Sequence, residues 1–182
     1  DGVNIKDYSS KELRNSVGLV LQDPFLYHGT VESNIKMYNE SLTREDVIEA
    51  AKFVDAHNFI DKLEDKYDSL VTERGSTFSS GERQLLTFAR TIASKPKILI
   101  LDEATANIDS ETEELIQHSL EKMRKGRTTI AIAHRLSTIQ DSNCIYVLDK
   151  GEIIESGTHD ELIARKGNYY KMYQLQAGML NK

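Results

Sequence analysis

The run Lys97-Ile-Leu-Ile-Leu-Asp102-Glu103-Ala-Thr-Ala-Asn-Ile-Asp109 constrains this chain more than any other segment. Four consecutive apolar residues, Ile98 to Leu101, read as a strand buried on both faces. Two carboxylates follow at the point where the strand leaves its sheet. Burying ionised carboxylates is costly unless something compensates them. The pair therefore points to a bound cation, a proton-transfer role, or both. In open α/β sheets, ligands sit at the carboxyl ends of the strands.

Other short apolar runs alternate with helical patterns. Gly18 to Gln22 reads as a buried strand stopped by Asp23-Pro24. Thr128 to Ala133 reads as another, closed by His134. In a parallel sheet, Gln22, Asp102, Glu103 and His134 would all emerge at one carboxyl edge. Thr30 and Thr43 each precede a helical pattern as an N-cap. Asn58 to Leu63 continues helical, and Asp65 to Phe78 reads as a loop. Ser79-Ser-Gly-Glu82 is a capping-box pattern, opening a helix through Ala93 that Lys95-Pro96 ends. Asp109-Ser-Glu-Thr begins a helix that Gly126 stops. Asp149-Lys-Gly151 is a hairpin signal, and the chain is helical from Thr158.

The alternation predicts an α/β layer fold with a parallel sheet. The block from Phe25 to Pro96 shows no strand pattern and reads as a helical insertion. The expected organisation is 1–24 as a core strand, 25–96 as an α-helical subdomain, and 97–182 as the rest of the core.

With 182 residues, 39% hydrophobic and 29% charged, the chain can build a globular core. A net charge of -6 supplies no global basic field, so nucleic acid is not expected as a partner. The single cysteine, Cys144, excludes an intrachain disulfide framework. No apolar run is long enough to span a bilayer as a helix. The beginning at Asp1 reads as the middle of a larger protein. His28, His57, His118 and His159 lack metal-ligand spacing with cysteine. The acids Glu111, Glu113 and Glu114 read as a solvated helix face.

These features resemble the nucleotide-binding domain of ABC transporters. Gln22 in Leu-Val-Leu-Gln-Asp-Pro-Phe-Leu looks like the Q-loop, and Phe78-Ser-Ser-Gly-Glu82-Arg-Gln is similar to the signature. Ile98 to Glu103 looks like Walker B, Ala106 to Asp109 like the D-loop, and His134 like the H-switch. The stretch Phe25 to Ile35 resembles the exporter branch. The resemblance implies a P-loop NTPase (RecA-like) parallel sheet with an inserted helical subdomain. No Gly-x-x-x-x-Gly-Lys-[Ser/Thr] occurs in these residues. The expectation is a fragment without the Walker A helix and N-terminal strands, one that binds Mg-ATP very weakly by itself. Its bare sheet would favour association.

The resemblance further implies ATP and Mg²⁺ as ligands. Asp102 would hold Mg²⁺ with Gln22 sensing it. Glu103 would accept a proton from the attacking water, and His134 would contact the γ-phosphate. Ser79 and Gly81 would touch ATP held by a second domain bound head to tail, with Asp109 reaching across. The signature departs from the usual Leu-Ser-Gly-Gly-Gln at Phe78, Ser80 and Glu82. An altered signature beside an intact Glu103 resembles one half of a heterodimeric multidrug exporter. Transmembrane domains of the same transporter are the second expected partner, at the cytoplasmic face of the cell membrane. The competing readings are a DNA-repair or chromosome-organising ATPase of the SMC type, which needs heptads absent here, and an inert interaction module.

Overall fold

Local chemistry starts most of the helices. The computed structural model describes residues 2–37, 39–72, 75–102, 110–133 and 135–178. The chain divides into two compact units, Asp1–Ile132 and Ala133–Lys182.

In the first unit, Ser9 and Glu12 form a capping box that opens α1 (Ser10–Ser16), which runs into strand β1 (Val17–Val20). A two-residue strand β2 (Gly29–Thr30) leads into α2 (Val31–Lys36), capped reciprocally by Thr30 and Ser33. Thr43 and Asp46 do the same for α3 (Arg44–Phe53), and a short α4 (His57–Ile60) follows. Then come β3 (Leu70–Val71), α5 (Ser80–Ala93), β4 (Ile98–Asp102), α6 (Ser110–Arg124) and β5 (Thr128–Ile132).

Among the described residues, β1, β4 and β5 form a parallel sheet in the order β1-β4-β5. Its register pairs Val17 with Ile98 and Val20 with Leu101 on one side of β4, and Asp102 with Ile132 on the other. Helix α5 packs against β1, α2, α3 and α6. Leu85, Leu86, Phe88, Ala89 and Ile92 join Val20, Leu99, Leu101, Ile116 and Met123 in one core. Gly18 permits the contact with β1. A Cβ there would lie 2.7 Å from Thr91 Cγ2 and 2.8 Å from Pro96 Cγ.

Polar links join the helices. Arg44 of α3 binds both carboxylate oxygens of Asp68 at 2.8 Å, pairs with Glu32 of α2, and lies over the Tyr67 ring. The buried Tyr67 hydroxyl is pushed up to about 12 by desolvation first and by the charge of Asp61 second. Ser119 of α6 donates to the Val54 carbonyl at 2.9 Å, and Lys122 pairs with Asp55 at 2.7 Å.

Two expectations need correction. The block Phe25 to Pro96 does contain strand, because β2 and β3 pair antiparallel, Gly29 with Val71 and Thr30 with Leu70. Two residues per strand are too few to imprint a period of two. The strands β1, β4 and β5 are not buried on both faces either. Leu99 and Leu101 face the helices, whereas Leu19, Leu21, Ile130 and Ile132 are each more than half exposed. Their apolar character shows what each strand can bury, but the described residues cover only one face.

In the second unit, β6 (Ile145–Asp149) and β7 (Glu152–Gly157) form an antiparallel hairpin with an irregularity at Val147/Leu148. Its two turn residues, Lys150 and Gly151, take φ of 49° and 85°, as a type I′ turn demands. Thr158 and Glu161 cap α7 (His159–Arg165), and α8 (Asn168–Gln176) follows. Leu136, Ile145, Val147, Leu162 and Tyr169 make its core. The Tyr169 hydroxyl meets His159 Nδ1 at 2.8 Å. Glu155 accepts the N–H groups of Asn168 and Tyr169 at 2.6 and 2.9 Å, which holds its carboxyl below the ordinary range.

Gly18→Ala is expected to destabilise by about 1–3 kcal/mol through overpacking against Thr91 and Pro96, measured as a lower urea midpoint at unchanged slope. For Glu155, the folded pKa is depressed, so its contribution is present above the ordinary carboxylate pKa and lost as pH falls through the folded value. Between about pH 5 and pH 3, thermal stability should fall more steeply in the parent chain than in Glu155→Gln.

Candidate functional site

The carboxyl rim of the parallel sheet is set by register. Because Val20 pairs with Leu101, Leu21 leaves β1 alongside Asp102, and Gln22 follows it as an exposed residue. Asp102 alternates with the buried Leu99 and Leu101, so it lies on the open face and is half-buried. On its far side stands Ile132, the last residue of β5. A carboxylate and an amide oxygen at adjacent strand exits are hard oxygen donors of the kind Mg²⁺ takes, so these residues fit that ion. Glu103, Asp109 and His134 lie outside the described residues.

The second candidate cluster is the start of α5. Ser79 Oγ accepts the Glu82 N–H at 3.1 Å, and the Glu82 carboxylate accepts the Ser79 N–H at 2.8 Å. The box leaves the N–H groups of Ser80 and Gly81 without intrahelical partners at the positive end of the helix dipole. Gly81 is buried, and a Cβ on it would come within 2.5 Å of Thr112 Oγ1 and 2.8 Å of Thr112 Cβ. Close approach of α5 to α6 therefore already requires glycine there. Phe78 is buried against Phe59, ring centroids 6.1 Å apart, and its carbonyl accepts from Arg83 Nη1 at 2.6 Å.

The register of β1 and β4 sets the chain carrying Gln22 at the strand exit next to Asp102, and the Ser79 cluster opens α5. Thr91 of α5 touches β1, and twelve residues of helix separate it from Ser79, about 18 Å along the axis. Helix α5 thus runs from the Ser79 cluster to its contact with β1.

A set of residues unmarked by any sequence pattern shapes the chain just after Gln22. Asn34, only 2% exposed, uses Oδ1 to accept the Tyr27 N–H at 2.8 Å. Its Nδ2 donates to the carbonyls of Tyr27 and Thr30 at 2.8 and 3.0 Å. Arg90 of α5 donates from Nε to the Asn34 carbonyl at 2.7 Å, from Nη1 to the Phe25 carbonyl at 2.9 Å, and from Nη2 to Asn34 Oδ1 at 3.1 Å. The one available signal was an asparagine and an arginine on helices otherwise patterned for a core.

The family model for ABC transporters matches residues 1–106 of this chain. A protein of Streptococcus pneumoniae serotype 4 described as an ABC transporter ATP-binding protein (exp8) is 71% identical over 180 residues, covering 99% of this chain and 31% of that protein. The ATP-dependent lipid A-core flippase of Syntrophus aciditrophicus is 47% identical over 176 residues, covering 97% of this chain and 29% of its own length. Among solved structures, that of a bacterial Atm1-family ABC exporter with ATP bound superposes with a TM-score of 0.86 at 41% identity, over 97% of this chain and 31% of that one. The chain thus spans less than a third of each of these relatives, and it belongs to the ABC transporter family.

Proposed function

We propose that this chain is the C-terminal part of the ATP-binding domain of an exporter, coupling ATP binding and hydrolysis to transport across a membrane. The observation that carries the reading is the parallel register setting the exits of β1 and β4 side by side, with Asp102 and Gln22 on one rim, in a member of this family. The names of the relatives, flippases and exporters, favour export over a chromosome-organising ATPase.

The reaction is cleavage of the β–γ bond of ATP, in which positioning and charge stabilisation do most of the catalysis. Asp102 holds Mg²⁺, which when bound neutralises charge on the phosphates, and Gln22 monitors that site. Glu103 accepts the proton of the attacking water, a role worth about 10²–10⁴-fold in rate. His134 holds the γ-phosphate. Ser79 and Gly81 present their helix N-terminus to ATP bound by a second domain, and Asp109 reaches across to it. Nucleotide binding draws two domains together and hydrolysis releases them, a ligand-driven population shift passed to transmembrane domains at the cytoplasmic face.

Glu82 places a carboxylate at the cluster that serves the partner's ATP. We assign that site as the weaker of two in a heterodimer, with Glu103 and His134 serving the competent one. The bare face of Leu19, Leu21, Ile130 and Ile132 is then the surface on which the rest of the ATP-binding domain packs.

Glu103→Gln in the full-length transporter is expected to keep ATP binding and to lose turnover by about 10²-fold or more, read by nucleotide trapping and phosphate release. Turnover near the parent rate would remove Glu103 as the base. Glu82→Gln keeps the capping box but removes the charge. It should tighten nucleotide at the signature-facing site in a binding titration, with the thermal midpoint unchanged.

A further inference from the structure

Two adjacent residues of α5 grip the chain on either side of Gln22. Thr91 Oγ1 shares its hydrogen between the Thr87 carbonyl of its own helix at 2.9 Å and the Leu19 carbonyl at 3.2 Å, and Arg90 Nη1 donates to the Phe25 carbonyl at 2.9 Å. Leu19 and Phe25 stand three residues before and three residues after Gln22. Arg90 is further locked by Asn34, whose amide clasps both the N–H and the carbonyl of Tyr27 as a neighbouring strand would. The Arg90 guanidinium also lies 5.7 Å from the Tyr27 ring centroid.

This arrangement is expensive for packing alone. Arg90 is half-buried, and its hydrogen bonds all end on neutral oxygens. Among the described residues it makes no ion pair. Burial accordingly lowers its pKa from the ordinary value. A partly desolvated charge without a counter-ion costs stability. Only the planar fork of arginine can reach three oxygens in fixed directions at once.

We infer that Arg90 and Asn34 are positioning residues that fasten the Gln22 turn to α5. The turn and the Ser79 end of the same helix, about 16 Å from Arg90 along the axis, then shift as one body. The inference rests on the ATPase reading above and deepens it. A partner's nucleotide engaging Ser79 and Gly81 displaces α5. Through Arg90, that displacement resets Gln22 beside the chain's own Asp102. Neither residue touches nucleotide, so loss of either impairs turnover more than binding.

The test is steady-state ATP hydrolysis by the full-length transporter carrying Arg90→Lys, Asn34→Asp or, as a control for stability, Ile60→Val in the core of the helical layer. Arg90→Lys keeps the charge but loses the fork. Asn34→Asp keeps Oδ1 but loses both donations from Nδ2. Each is expected to lower kcat by about tenfold with KM for ATP within about twofold, and Arg90→Lys is expected to lower it further than Asn34→Asp. Ile60→Val should retain kcat. Three results would overturn the inference: kcat near the parent value in both variants, a raised KM at unchanged kcat, or a loss in Ile60→Val proportional to its drop in thermal midpoint. Absence of hydrolysis in the parent transporter instead overturns the ATPase reading, and the inference falls with it.

Discussion

Helix α5 buries apolar residues around most of its circumference, Leu85, Leu86, Phe88, Ala89 and Ile92 among them, and must be covered on several sides at once. Helices α2, α3 and α6 and strand β1 supply that cover. A helix apolar on so many sides has one stable place, the centre of its unit. Its neighbours then have little freedom. Gly18 admits Thr91 to β1, and Gly81 admits Thr112 of α6. The two ends of α5 are thereby packed closely against β1 and against α6. A close-packed interior transmits displacement because it cannot absorb it.

The polar groups at either end of α5 serve different needs. At its start, the capping box satisfies the N–H groups of Ser79 and Glu82 and leaves those of Ser80 and Gly81 without intrahelical partners. Near its end, Thr91 reaches the Leu19 carbonyl within β1, and Arg90 reaches the Phe25 carbonyl beyond it. Phe25 lies outside any strand, so its carbonyl has no ladder partner and takes its hydrogen bond from a side chain. Asn34 solves the same problem for Tyr27 by imitating a strand edge with one amide. The turn after Gln22 thus acquires a defined shape without any regular secondary structure of its own.

The features legible in the sequence are those with short-range causes. The caps read at Thr30, Thr43 and Ser79 close within three residues, as do the boxes at Ser9 and Thr158, which the sequence expectations leave unmarked. The Lys150-Gly151 turn is likewise local, and the apolar run before Asp102 marks a sheet strand. What stayed hidden has long-range causes. The β2–β3 pair joins residues far apart with two positions per strand. Arg90 finds Asn34 and Phe25 at separations of 56 and 65 residues, which no local pattern encodes. The open face at Leu19 and Ile130 was also out of reach, because an apolar run is the same string whether one face is covered or both. For the candidate site, the neighbouring exits of β1 and β4 followed from strand ends, but the seating of the Ser79 turn against α6 required the packing of α5.

The unusual signature becomes intelligible from the same packing. Phe78 fills a buried place against Phe59, where an aromatic ring serves as well as an aliphatic side chain. Glu82 closes the capping box with Ser79, and glutamate and glutamine are equally able to do so. The helix geometry at the anion-facing turn is therefore preserved by the substitution, while the electrostatics are not. The carboxylate sits at the positive end of the dipole that an anion would use, and partly neutralises it. Shape without charge complementarity leaves a surface that can still dock a nucleotide-bearing partner but holds its phosphates less firmly. On the proposed function, such a site would govern the approach of two domains while hydrolysis proceeds at the other, and the proposed link between them is α5 with the arginine that ties it to the chain after Gln22.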